Sequence, residues 1–440
     1  MEAGDGPAPL TSPAMAPLPI PATSADAILE HVGPGADLIV PLSNGEPVTL
    51  LDAIEAHADQ LSGVTVHQMH AIHDRPYLHG AFDGRMRHRS YFLSHVTRPC
   101  FQAGTIDFVP NNFSEMRSIL KDATTDPLVI AAASPPDRHG YFSLGLNADY
   151  TSSFIGRARF FLEANRQMPR TFGRNSIHVS QVVGWVEADY PLVEVPPPPV
   201  GDVERRIASL IAERIPDGAC IQTGIGSIPN AILSALRGHQ DLGVHTELLS
   251  DGVVDLVERG VVNNVRKLQN RNKVVGTFAL GTRALYDFLH ENAAFELWPV
   301  RFVNDPRVIA QEPNFVSINA TLAVDFLGQC ASETIEGRYY SGSGGQADFA
   351  RGAMYSPGGQ GFVVLTSTAR EGAVSRIVPH LAEGDVVTTL KNTVDKVVTE
   401  WGIAELRGRS IRERTSALIA VAHPDHRGAL TAEARRLNYL

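Results

Sequence analysis

Residues 221–236, "IQTGIGSIPNAILSAL", read as a strand, a glycine turn and a helix. The apolar run before Gly224 has strand character, Gly224 and Gly226 allow a sharp turn, and Pro229 suits a first helical turn. After Pro229 the apolar spacing becomes helical. A helix following directly on a buried strand is the repeating step of a parallel α/β sheet. Downstream the step recurs, with "LGVHTE", "KVVGTFALG", "FVSINATLAVDF" and "GFVVLTST" as strand candidates and "GVVDLVERG" and "RALYDFLHEN" as helix candidates. Upstream, "ADLIVPL", "VTVHQM", "IDFVPN" and "PLVIAAAS" alternate with "TLLDAIEAHADQL" and "FSEMRSILKDA". Both regions predict an open, parallel-rich α/β layer.

The break between them is "PLVEVPPPPVGD", residues 191–202, whose consecutive prolines favour an extended connector. At 440 residues the chain exceeds what one core usually holds. The expected organisation is a disordered Pro/Ala-rich tail over 1–24, an α/β domain over 25–192, a linker over 193–200 and a second α/β domain over 201–440. A cleft between two such domains is the natural ligand site.

Composition narrows the partners. A net charge of −10 argues against nucleic acid or an anionic membrane surface, because the phosphate contribution needs clustered Lys and Arg. An anionic substrate must then be met locally, by backbone N–H groups or a few arginines. The three cysteines, Cys100, Cys220 and Cys330, show neither CxxC spacing nor a disulfide pattern, and fit a reducing compartment. The first basic residue is Arg75, so the N-terminus lacks the charged start of a signal peptide, and no apolar run is long enough to span a membrane. A cytoplasmic protein is expected.

Three segments carry candidate chemistry. In the turn from Gly224 to Ile228, free N–H groups at a helix start would face an anion or oxyanion, although such turns also serve as plain joints. It lacks the third glycine of a dinucleotide fingerprint and the Lys-Ser/Thr of a P-loop. One strand-to-helix unit later, "GVHTELLSDG" (243–252) places Glu247 where ligands gather in parallel sheets, at the carboxyl end of a strand. Alone, a glutamate there is more often a solvated loop carboxylate. The third segment, "YYSGSGGQADFARGA" (339–353), has a glycine loop that would offer unobstructed backbone donors. A histidine cluster (His67, His70, His73, His79, His88, His95) has no convergent metal-ligand spacing, and no metal is expected. No GxSxG elbow is present for serine hydrolysis.

In order along the chain, "SPPDRHGYFSLG" (134–145), "IQTGIGSIPNAIL" (221–233), "HTELLSDGVVDLVERGVV" (245–262), "FVNDPRVIAQEPNFVSINATLAVDFLGQ" (302–329), "YSGSGGQADFARGA" (340–353), "VVTEWGIAELRGRS" (397–410) and "ALIAVAHPDHR" (417–427) resemble one family. It is the class I coenzyme A transferases of the acetyl-CoA hydrolase/transferase group, which includes 4-hydroxybutyrate and butyrate:acetate CoA-transferases. The resemblance implies two tandem open α/β domains with the active site in the cleft between them. It implies ping-pong transfer of CoA between an acyl-CoA and a small carboxylic acid, through a glutamyl anhydride and a glutamyl-CoA thioester on Glu247. Asn304 would orient that glutamate or the substrate, and Asn319 is a further polar candidate. Gly224, Ile225, Gly226, Ser227 and Ile228, with Gly342, Gly344 and Gly345, would contact CoA and the reacting carbonyl. CoA is then a co-substrate, with no tightly bound cofactor, and a homo-oligomer is expected.

The chain departs from the family pattern at Ala323, where an acidic residue is frequent, and at Leu248 and Leu249, where Met and Phe are common. Both leucines are expected to alter acyl-chain fit more than the chemistry. Two alternatives remain at this level: an acyl-CoA hydrolase using the same glutamate, and a non-catalytic CoA or metabolite-binding module.

Overall fold

The strand and helix alternation assembles into two parallel sheets, seen in a computed structural model that describes residues 20–440. Seven strands form the first sheet in the order Gly184–Ala188, Arg159–Asn165, Leu128–Ala133, Asp37–Val40, Val64–Gln68, Met86–Ser90, Asp107–Phe108. Every pairing in it is parallel. Its interior strand Leu128–Ala133 is buried at every position, as a strand covered on both faces requires.

The second sheet runs Gly243–Val244, Cys220–Thr223, Phe315–Ala320, Gln360–Val364, Lys396–Thr399, Gly402–Glu405. Only its last pair is antiparallel. In each sheet the strand order reverses once: between Asp37–Val40 and Leu128–Ala133 in the first, and between Cys220–Thr223 and Phe315–Ala320 in the second. A crevice opens beyond the carboxyl ends of the strands at such a reversal.

The expected helices form at Val48–Ala56, Met116–Ala123, Ser227–Ala235, Asp251–Glu258 and Arg283–Leu289, and a further one forms at Asp202–Ala212. Residues 189–201 form neither helix nor strand. They are nonetheless tied down: Asn44 Nδ2 donates to the Val193 carbonyl at 2.9 Å and the Val193 N–H donates back to Asn44 Oδ1 at 2.9 Å.

The halves interlock more than their linear order suggests. Phe172–Gly173, upstream of the linker, pairs in parallel with Phe295–Leu297 downstream of it. Leu248, Phe278, Leu280 and Val300 share one apolar core with Phe113, Phe142 and Tyr150. Of the tail expected over 1–24, residues 1–19 lie outside the described residues. Ile20 and Thr23 lie against Trp185, whose indole N–H donates to the Ile20 carbonyl at 2.8 Å while its own carbonyl accepts from the Thr23 N–H at 2.9 Å. Among the described residues no helix is long and apolar enough to cross a membrane.

Candidate active site

Glu247 lies between two short strands instead of leading straight into a helix. Gly243–Val244 ends the strand before it, Leu248–Leu249 pairs with Phe278–Ala279 after it, and the helix begins at Asp251. The Glu247 carbonyl accepts from the N–H groups of Thr277 at 3.0 Å and Phe278 at 3.2 Å. Next to it, Thr246 Oγ1 donates to the Thr223 carbonyl at 3.0 Å. The glutamate backbone is thereby fixed to the strand that feeds the Gly224 turn.

Asn304 Nδ2 donates to Glu247 Oε2 at 2.6 Å. Asn304 caps the short helix Val300–Val303 and is fully buried, and its Oδ1 has no partner among the described residues. Gly345 packs against the same pair. A Cβ built on it would overlap both Glu247 Oε2 and Asn304 Nδ2, so only glycine fits. Gly345 is also the N-cap of helix Gln346–Tyr355, so that helix N-terminus lies at the glutamate, while Gly224 and Ile225 of the other glycine turn line the same cavity. Helix N-termini favour negative charge.

Burial lifts the Glu247 carboxyl from 4.5 to about 7; the Asn304 bond pulls it down, the Asp348 carboxylate pushes it up, and the Gly345 amide pulls it down. Asp348, in the first turn of the same helix, is lifted to about 7, chiefly by burial and against its bonds from Ser114. It accepts from the Ser114 N–H at 3.1 Å and from Ser114 Oγ at 2.8 Å, which joins the helix to the first half of the chain. The glycine loop is stapled there too. The Phe113 N–H donates to the Gly344 carbonyl at 3.2 Å, Arg98 Nε donates to the Tyr340 carbonyl at 2.6 Å, and Ser343 Oγ donates to the Asn111 carbonyl.

These contacts close a cavity of about 270 Å³ beside Glu247. Leu42, Met69, His70 and Phe92 enter it just past the carboxyl ends of the first sheet's strands; Gln222, Thr223 and Asn319 enter from those of the second. The carboxyl ends of both sheets therefore meet at one place. Gln222 and Asn319 hold each other across the second sheet's reversal, each side-chain amide donating to the other's oxygen at 3.2 Å.

Of the residues singled out from sequence, Gly224, Ile225, Glu247, Asn319, Gly342, Gly344 and Gly345 line this cavity. Asn304 reaches it through Glu247. Gly226, Ser227 and Ile228 do not line it; they form the N-cap and first turn of the helix, with Ser227 Oγ 3.5 Å from Glu204 Oε1. The two leucines part company. Leu248 lines the cavity, whereas Leu249 is fully buried in the core against Gly276, which corrects the expectation that both face the acyl group. Ala323 sits in the strand Ala323–Asp325, away from the cavity.

Sequence reading did not single out Gln222, Phe92, Phe113 or Asp348. The last three act only through the meeting of segments that are far apart in sequence. Among the described residues no group of three or more His, Cys, Asp or Glu could hold a metal ion. His67 instead bonds Tyr91 and Asp37. His70 faces the cavity as a neutral ring, since burial, with His95 adding to it, takes it down to about 4.

A carboxylate held by one amide beside a helix N-terminus, in a largely apolar cavity, is suited chemically to attack an electrophilic carbonyl, with backbone N–H groups to meet the oxyanion that forms. Residues 21–196 match the acetyl-CoA hydrolase/transferase N-terminal domain, and residues 281–434 match its C-terminal domain. The chain is 47% identical to the succinyl-CoA:cyclohexane-1-carboxylate CoA transferase of Geobacter metallireducens, over 92% of each chain. It is 42% identical to the 4-hydroxybutyrate coenzyme A transferase of Clostridium kluyveri, over 89% of this chain and 92% of that one. The crystal structure of RipA from Yersinia pestis superposes with a TM-score of 0.91 at 37% identity, covering 95% of this chain and 98% of that one.

Proposed function

The chain belongs to the acetyl-CoA hydrolase/transferase family and is a CoA-transferase, and we propose that it moves CoA from an acyl-CoA to a carboxylic acid with Glu247 as the covalent nucleophile. The observation that carries this reading is the Glu247 carboxylate, held by Asn304 and closed in by Gly345 at the meeting point of both sheets' carboxyl ends.

A Glu247 oxygen attacks the thioester carbonyl, the C–S bond breaks, and CoA thiolate leaves behind a mixed anhydride. The thiolate then attacks the glutamyl carbonyl of that anhydride, releasing the first carboxylate and leaving a glutamyl-CoA thioester. An acceptor carboxylate attacks this thioester to form a second anhydride and thiolate. The thiolate finally attacks the acceptor's acyl carbonyl, which gives the new acyl-CoA and restores Glu247. Each addition places negative charge on an oxygen, which the N–H groups of the Gly224 turn and of the Gly345 helix start are suited to meet. A carboxylate is a weak nucleophile, so the gain comes from holding it in place.

The acyl side of the cavity is apolar, built from Leu42, Met69, Phe92, Phe113, Leu248 and Phe278. No Lys or Arg lines it among the described residues. Both features support a short uncharged acyl group. The buried free thiols of Cys100, Cys220 and Cys330 support a reducing compartment such as the cytoplasm. A homo-oligomer completes the proposal, and light scattering reads it directly.

The test is acyl-CoA consumption with and without a carboxylate acceptor. Transfer predicts new acyl-CoA that appears only with the acceptor, and little free CoA. Steady CoA release in its absence would instead show water resolving the intermediate.

A further inference from the structure

Two residues of the short helix that ends at Asn304, Arg301 and Phe302, also line a second concavity of about 480 Å³, which shares no residue with the cavity beside Glu247. Arg157 and Arg174 join Arg301 there, and no Asp or Glu among the described residues lines it. None of the three guanidinium groups has an acidic partner among the described residues. Arg174 lies over the Trp298 ring, 5.1 Å from its centroid. Arg117 stands close by: burial, then repulsion from Arg301 and Arg157, holds its guanidinium below the ordinary value. Three guanidinium groups without an ion-pair partner at one concavity are unexpected in a chain of net charge −10, although Arg301 also borders a neighbouring concavity that carries Glu115, Asp305 and Asp348.

The wall adds a second observation. Ser152 and Ser153 line the same concavity at 7% and 5% exposure, and neither hydroxyl has a hydrogen-bond partner among the described residues. Buried hydroxyls are almost always paired, so two orphans beside three unpaired arginines mark a place where acceptor oxygens are missing. Forked guanidinium donors and hydroxyls together match the oxygens of a phosphoryl group, and the partly exposed Trp298 offers a flat apolar face beside them.

We propose that the concavity bounded by Arg157, Arg174, Arg301, Ser152 and Ser153 binds a phosphate-bearing small molecule. The observations behind this proposal do not rest on the role given to Glu247. Two sources share the recognised group: the phosphates of CoA itself, and a free phosphate ester acting as an effector.

Calorimetric titration of the whole protein with inorganic pyrophosphate tests it, using the double variant Arg157→Ala/Arg174→Ala, Ser153→Ala, and thermal melting to verify folding. The expected result is saturable binding that weakens with added salt, falls about tenfold or more in the double variant and falls less in Ser153→Ala. Absence of saturable binding in the wild type, or unchanged affinity in the folded double variant, overturns the proposal. The source follows from steady-state kinetics of the same double variant. A raised KM for acyl-CoA beside lost pyrophosphate affinity assigns the site to CoA's own phosphates; an unchanged KM assigns it to a free phosphate ester.

Discussion

Asn304 Nδ2 donates to Glu247 Oε2 at 2.6 Å, from a side chain that is itself fully buried. A bond to a charged acceptor contributes about 1.5–3 kcal/mol, so Asn304→Ala should lower kcat by roughly 10- to 100-fold. Because this bond holds the carboxyl down against burial, the same variant should move the acid limb of the kcat/KM profile to higher pH. An unchanged profile would show that Asn304 serves only packing.

Acidity at the site has a definite sign. In the proposed reaction the attacking form of Glu247 is the carboxylate, so kcat/KM should rise with pH through about 7. Asp348→Asn removes a like charge and should shift that limb to lower pH, while loosening the link to Ser114. A shift in the opposite direction would contradict the electrostatic role given to Asp348.

The same raised value makes Glu247 a cost to the fold. Its folded value of about 7 lies above the ordinary 4.5, so its contribution to stability is full below 4.5 and is lost as pH rises through 7. Glu247→Gln should therefore melt higher than wild type at pH 8, with a stability gain on the order of 3 kcal/mol, and should lose that advantage near pH 4. Equal melting at both pH values would contradict the desolvation argument.

Glu46 shows the reverse linkage. Burial alone would raise its carboxyl, but His73 and Arg75 outweigh it and hold the group at about 2. Its stabilisation is full above 4.5 and is lost as pH falls toward 2. Arg75 donates to Glu46 at 2.8 Å with both side chains buried, so Arg75→Ala should cost about 3–5 kcal/mol in denaturant unfolding at pH 7.

Leu248 and Leu249 separate function from packing. Leu248→Ala enlarges the cavity and should shift preference toward bulkier acyl chains in a panel of acyl-CoAs. Leu249→Ala should leave that preference alone and destabilise the protein by about 2–5 kcal/mol.

How much of this was legible in the chain depends on the distance over which each feature is decided. The strand, turn and helix around Gly224 follow from local spacing, and they appear as Cys220–Thr223 and Ser227–Ala235. The Gly224 turn follows from the same local spacing, and its Gly224 and Ile225 line the cavity. Glu247 was not legible in that way: its spacing alone left it a surface carboxylate, and only the ordered motifs around it marked it out. Phe92, Phe113 and Asp348 were invisible because their roles arise where the 92–114 region meets the glycine loop. The pairing of Phe172–Gly173 with Phe295–Leu297 escaped for the same reason, since two residues carry no periodicity to read.

Glu247 is proposed to bond covalently to CoA. Incubation with acyl-CoA, borohydride reduction and peptide mass spectrometry test it most directly. Reduction of a glutamyl-CoA thioester converts that side chain to an alcohol, and the account predicts this change on the Glu247 peptide alone, dependent on acyl-CoA and absent in Glu247→Ala. Modification at another residue, or full label exchange by Glu247→Ala, would contradict it.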